Sequence, residues 1–169
     1  MVRAALLDKQ LYKEVVAERK SMGQALLVVV VVAVATGIGL FDEGGLTGAK
    51  ALPAQIVLGL VGWVVWASIT YLAGAKLLGT PGTHASWSTV ARALGFAQSP
   101  GALRVLGILP GLGILISLVT VVWQFVAMVV AIRQALNYQS HWRAIGVIAI
   151  GLIPYLFIVG GLNLLLEVS

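Results

Sequence analysis

The chain contains no cysteine, which excludes disulfides, thiol catalysis and thiolate metal sites. Charge is scarce as well: 10% of the residues are Asp, Glu, Lys or Arg, against 60% hydrophobic. A water-soluble globular surface cannot be built from that composition, so the class is membrane protein. Histidine occurs only as His84 and His141, both in polar stretches. A metal shared between them would need two further ligands that the sequence does not offer, and haem ligation is poorly served by histidines outside a span. There is no phosphate loop with its lysine and no nucleophile elbow with a histidine to serve it. The six acids, Asp8, Glu14, Glu18, Asp42, Glu43 and Glu167, all fall in terminal or loop segments. No catalytic, cofactor-binding or metal-binding residue is assigned, an enzyme is not expected, and no ligand beyond bound lipid is called for.

What the sequence does have is long apolar runs. The segment 100–136 holds an uncharged stretch of 28 residues, Val105 to Ile132. About 20 helical residues span a bilayer core of roughly 30 Å, so this stretch is too long for one span and too short for two full ones. Pro110, Gly111 and Gly113 interrupt it near its front, where a helix breaks or turns. It is read as a short, kinked helical hairpin turning between Pro110 and Thr120. Before it, residues 25–41 form a first span and residues 54–78 a second. After it, residues 144–165 form the last, with a kink expected at Pro154. The fold class is therefore all-α: a polytopic membrane bundle of five transmembrane helices, the third and fourth being that hairpin. Its parts are an N-terminal segment 1–24, a transmembrane domain 25–165 and a tail 166–169.

The N-terminal segment places Leu7, Leu11 and Val15 four apart, the spacing of a moderately amphipathic helix. Such a helix either lies on the headgroup surface or docks onto loops of its own protein. Between spans two and three, Trp87, Val90, Ala91 and Leu94 suggest a short interfacial helix that carries Arg92. In the first span, Ala33 with Gly37 and Ala35 with Gly39 put small residues four apart, which lets another helix approach. Trp63 and Trp66 sit mid-span, where they pack between helices using the space of Gly59 and Gly62.

Lysine and arginine fix the orientation. With five spans, ten of the eleven positive residues fall on the side of the N-terminus and only Lys50 on the other; by the positive-inside rule the N-terminus is cytoplasmic and Ser169 outside. Four spans would reduce the asymmetry to eight against three. Arg19, Lys20, Arg92, Arg104, Arg133 and Arg143 are expected to reach lipid on the cytoplasmic side. The net charge of +5 is assigned to this topology and not to nucleic acid. Gln124 is the one strongly polar side chain well inside a span, with Thr120 a turn before it. Together with Gly59, Gly62, Pro110, Gly111, Gly113 and Ser117 they define a packing surface with a polar seam.

Four passages, LYKEVVAERKSMGQALLVVVVVAVATGIG, RALGFAQSPG, LPGLG and VVWQFVAMVVAIRQALNY, together resemble the bacterial branch of the Yip-domain family, with a resemblance that runs from about Leu11 to Leu165. The resemblance implies a five-helix integral membrane protein with a cytoplasmic N-terminal segment, in the bacterial inner membrane, and it brings no residue-level active site. Eukaryotic relatives are associated with Rab-type GTPases and vesicle formation; their long cytoplasmic N-terminal regions have no counterpart in the 24 residues here, which speaks against a GTPase partner. The expected function is a non-enzymatic one exercised through membrane lipids and other membrane proteins, as an adaptor or an accessory subunit of a larger complex. The alternative is a small transporter or lipid scramblase using the broken helices three and four.

Overall fold

The computed structural model describes residues 2–18, 20–39, 46–83, 85–109 and 111–168. Among them there are helices and turns and no strand. Two short N-terminal helices, α1 (Val2–Ala5) and α2 (Lys9–Ala17), precede α3 (Ser21–Gly39) and α4 (Leu46–Tyr71), which ends in a π-helical turn at Leu72–Leu77. Next come α5 (Trp87–Ala97), a 3-10 helix over Ser99–Ile108, α6 (Gly113–Ala135) and α7 (His141–Val168).

Each element is set by local chemistry. Asp8 caps α2, its side chain accepting from the N–H groups of Gln10 and Leu11, which satisfies donors that a helix start leaves orphaned. The Arg3 guanidinium bonds Asp8 and Glu14, and holds the Asp8 carboxyl below the usual carboxylate range. Tyr12 is fully buried beneath this pair, its hydroxyl donating to Ala4 O, and burial pushes its phenol up. The segment thus docks on its own bundle, with Tyr12 and Val15 inward and α2 against α5 and α6. Ser86 caps α5 by accepting from Thr89 N. Asn137, at φ 53°, takes the left-handed position just after α6, a place where asparagine substitutes for glycine.

Four segments are long and apolar enough to cross a membrane: Ser21–Gly39, Leu52–Leu77, Gly113–Ala135 and His141–Ile158. They correspond to the first, second, fourth and last expected spans. The hairpin differs from expectation. Its turn lies at Leu109–Leu112, with Gly111 at φ 79°, and its second arm is an uninterrupted helix of 23 residues, not a short one. Its first arm starts at Trp87, so the expected interfacial helix is instead the buried beginning of that arm: every residue from Val90 to Ala97 is buried. Counting charge-free residues misjudged this arm because Arg92 and Arg104 both lie within it.

Contacts at glycines and at Gln124 fix the direction of the long elements. Gly95 packs on Ala25, Gly101 on Val32 and Gly107 on Gly39, so α5 and the 3-10 helix run parallel to α3. Gly37 meets Leu52 and Gly59 meets Ala33, which makes α4 antiparallel to α3. Gln124 bonds Gln98, so α6 returns alongside the 3-10 helix. Gly74 faces Leu136 and Val147, and Gly151 faces Ile69 and Trp66, so α7 returns along α4. The chain reverses at each connection. One end of the bundle carries α1, α2 and the α6–α7 turn; the other carries the Leu109–Leu112 turn. At the first end Tyr138 closes the core, its hydroxyl donating to Gly74 O at 2.6 Å with Leu78 O at 3.1 Å. Gly74 lies within the π turn and Leu78 caps it, where the usual helical partners are displaced.

Candidate functional site

A 3-10 helix has three residues per turn, so side chains three apart line up along one edge. Here Gln98, Gly101, Arg104 and Gly107 fall in one such line. Ten residues is long for this type of helix, whose poorer hydrogen-bond geometry usually limits it to three or four. The glycines let neighbours come close: a Cβ on Gly101 would meet the Gln124 side chain and Val32, each at 2.6 Å. Into that space the Arg104 guanidinium donates to Gln124 Oε1 at 2.7 Å, and Gln124 Nε2 donates to Gln98 O at 3.3 Å. The result is a polar chain across the bundle, from the 3-10 helix to α6 and back.

Two cavities meet at Arg104. One, of about 690 Å³, lies between the 3-10 helix and the start of α6. The other, of about 580 Å³, lies among α3, α4, α6 and α7. Thr36, Arg104 and Val121 line both. Among the described residues no histidine or carboxylate lines either cavity, and no three His, Asp or Glu side chains gather to hold a metal. Arg104 and Gln124 give the site a fixed cation and an amide facing two mainly apolar chambers.

The expected seam residues separate into two groups around this pair. Gly111, Gly113 and Ser117 line the first cavity; Gly59, Gly62 and Gln124 line the second. Gly59 and Gly62 also provide close approach, the first to Ala33 and the second to the Tyr155 hydroxyl. Thr120 is fully buried and donates to Ile116 O on its own helix. Pro110 lies outside the described residues. The tryptophans are tied inward: Trp63 Nε1 donates to Ala91 O at 3.0 Å, and Trp66 packs edge-on against Tyr155 at 5.1 Å.

The basic residues differ more from expectation. Arg92 does not face lipid: it is 4% exposed, with Nε donating to Val15 O and Nη2 to Val16 O. Those carbonyls end α2, where a helix leaves acceptors unpaired and its dipole favours a cation. Arg104 is likewise turned into the bundle, and its backbone sits against Gly39, at the end away from the N-terminal helices. The reason is the early start of its arm, which carries it across before the turn. Lys20 and Arg143 are exposed, and Arg133 bonds Tyr138 O and the His141 ring. Arg19 and His84 lie outside the described residues.

Sequence reasoning missed Arg104, Thr36, Gln55 and Tyr155 as cavity residues. The spacing of three from Gln98 to Gly107 was the available signal for Arg104, visible only if the arm is read as a 3-10 helix.

No curated protein and no solved structure matches the chain. Residues 8–162 match the Yip1 domain, a span that takes in α2, all four long apolar segments and the Arg104–Gln124 pair, and on that match the chain belongs to the Yip1 domain family.

Proposed function

We propose that this Yip1-domain protein works by non-covalent contact, as an adaptor or accessory subunit of a larger assembly in a bacterial cytoplasmic membrane, and that it is not an enzyme. The observation that carries this reading is where its polar groups point. Arg92, Tyr138, Trp63 and Ser99 all bond backbone carbonyls of the same chain. Outward, α6 and α7 present aliphatic and aromatic side chains, with Ile114 and Phe157 about four-fifths exposed. Apolar helix faces are what lipid tails and neighbouring spans recognise. No cofactor beyond lipid and no GTPase partner is included in the reading. Extraction in a mild detergent, followed by a native gel and mass spectrometry, is expected to show the chain migrating with another membrane protein in fixed ratio. A lone monomer in that gel would sink the reading.

Lipid scrambling is the second reading, favoured by the two cavities that meet at Arg104. A fluorescent-lipid flip assay in liposomes tests it, and a rate no higher than that of empty vesicles rejects it.

The proposed topology has five crossings with a cytoplasmic N-terminus. Among the ten basic residues that are described, eight (Arg3, Lys9, Lys13, Lys20, Lys76, Arg92, Arg133, Arg143) belong to the end with α1 and α2, leaving Lys50 and Arg104. That asymmetry supports the orientation. Because the chain has no cysteine, single substitutions report cleanly. An impermeant maleimide applied to intact cells is expected to label Leu112→Cys and to spare Gln10→Cys and Asn137→Cys. A four-crossing chain reverses the first and third results.

A further inference from the structure

Among the described residues no carboxylate pairs with Arg104. A guanidinium has five N–H donors in a planar fork; here one bonds Gln124, a neutral amide. Among the described residues the ion pairs both belong to Arg3 at the other end of the bundle. A cation at span depth is costly and is ordinarily paired, so the balancing anion comes from outside these residues.

The first cavity indicates what kind. It runs from Leu109 and Gly111, at the end of the bundle, inward to Thr36 and Val121. Thr36 lies three residues before the end of α3, about 4.5 Å at the rise of an α-helix. Along its outer side stand Ile114, Ser117 and Leu118, all exposed. The outward row of α6 continues with Val121 and Val122, also exposed. A site with a guanidinium at its inner end and an aliphatic flank open to the membrane fits a molecule with an anionic head and hydrocarbon tails. Phosphate oxygens match the guanidinium fork. An ammonium-bearing headgroup would ask for a carboxylate or an aromatic face, and the described residues of this cavity supply neither.

Building on the contact-based reading above, we infer that Arg104 binds the phosphate of an anionic glycerophospholipid. The headgroup enters between the 3-10 helix and α6, and the acyl chains lie along the aliphatic face of α6. Gln124, held by Gln98, orients the guanidinium without competing for its charge.

The test is native mass spectrometry of the full chain in detergent, titrated with phosphatidylglycerol, phosphatidylcholine or inorganic phosphate. Phosphatidylglycerol is expected to bind about tenfold more tightly than phosphatidylcholine, whose phosphate is the same but whose choline ammonium is repelled by Arg104 and finds no carboxylate or aromatic partner among the described residues of the cavity. Arg104→Gln is expected to erase the preference, and Arg104→Lys to keep part of it, since lysine retains charge but not the fork. Ser117→Trp fills the cavity from α6 while leaving the Arg104–Gln124 bond in place, and it too is expected to erase the preference. It serves as the deciding variant if Arg104→Gln does not fold. Equal binding of the two lipids, or a preference that survives both substitutions, overturns the proposal. Competition by millimolar phosphate equal to that of the lipid makes this a small-anion site and overturns the lipid assignment. The titration needs no partner protein, so its failure leaves the co-migration result untouched, and a lone monomer on the native gel leaves the titration untouched.

Discussion

Arg92→Ala is expected to release the N-terminal segment from the bundle. The arginine is the hydrogen-bonded cap of α2, donating at 3.1 Å to Val15 O and at 3.0 Å to Val16 O from a buried position on α5. Bonds to a charged group contribute about 1.5–3 kcal/mol each, and a buried acceptor left without a donor adds its own desolvation cost. A loss of about 3–5 kcal/mol follows, comparable to breaking a buried charged contact from one side. That is large for a nine-residue helix, which is too short to persist on its own propensity. Limited trypsinolysis in detergent reads the effect. Cleavage after Lys13 and Lys20 should become fast in Arg92→Ala while the spans remain intact. Arg92→Lys should give partial protection, because an ammonium reaches one carbonyl well but not two in fork geometry. Cleavage rates equal to wild type in both variants would show that α2 is held by Tyr12 and Val15 alone.

The second large effect is expected at Gly39. A Cβ there would be driven into the backbone carbonyl of Arg104, and Gly107 faces it in turn, its own Cβ position 3.3 Å from Gly39 O. Two backbones touch at this point, so no side chain can swing aside to make room. Overpacking of that kind typically costs 1–3 kcal/mol and occasionally more, so Gly39→Ala should lower the thermal midpoint followed by circular dichroism. Gly23→Ala is the matching control: nothing lies within 4 Å of its Cβ position in α3. There alanine should stabilise, by about 0.5–1 kcal/mol, through helix propensity. Opposite signs for two Gly-to-Ala changes in one helix are the expected signature, and equal shifts would reject close contact at Gly39.

Much of the fold was legible because hydropathy is a strong signal when 60% of the residues are hydrophobic. The first, second and last spans lie close to where apolar runs and their flanking polar loops put them. Spacing in α2 also spoke clearly: Val15, in the expected apolar row, is buried, and so is Tyr12 beside it. The hairpin was harder, for a physical reason. Charge marks a span boundary only when charged side chains seek water, and Arg92 and Arg104 instead find hydrogen bonds inside the protein. Small-residue spacing foretold close approach by Ala33, Gly37 and Gly39, but not which neighbour each would meet. Gln124 was visible as the lone polar side chain mid-span, whereas its partner Arg104 carries no such signal unless residues 98–107 wind three to the turn.

That period has one more effect. A helix wound three residues to the turn is slimmer than an α-helix, and glycine at 101 and 107 trims this one further. Where α6 or α7 would fill its share of the bundle's cross-section, the third arm leaves a remainder. The chamber between this helix and the start of α6 is part of that remainder: Gln124, Val32 and Gly39 close in on the glycines, and the side toward Ile114 and Ser117 is left as room.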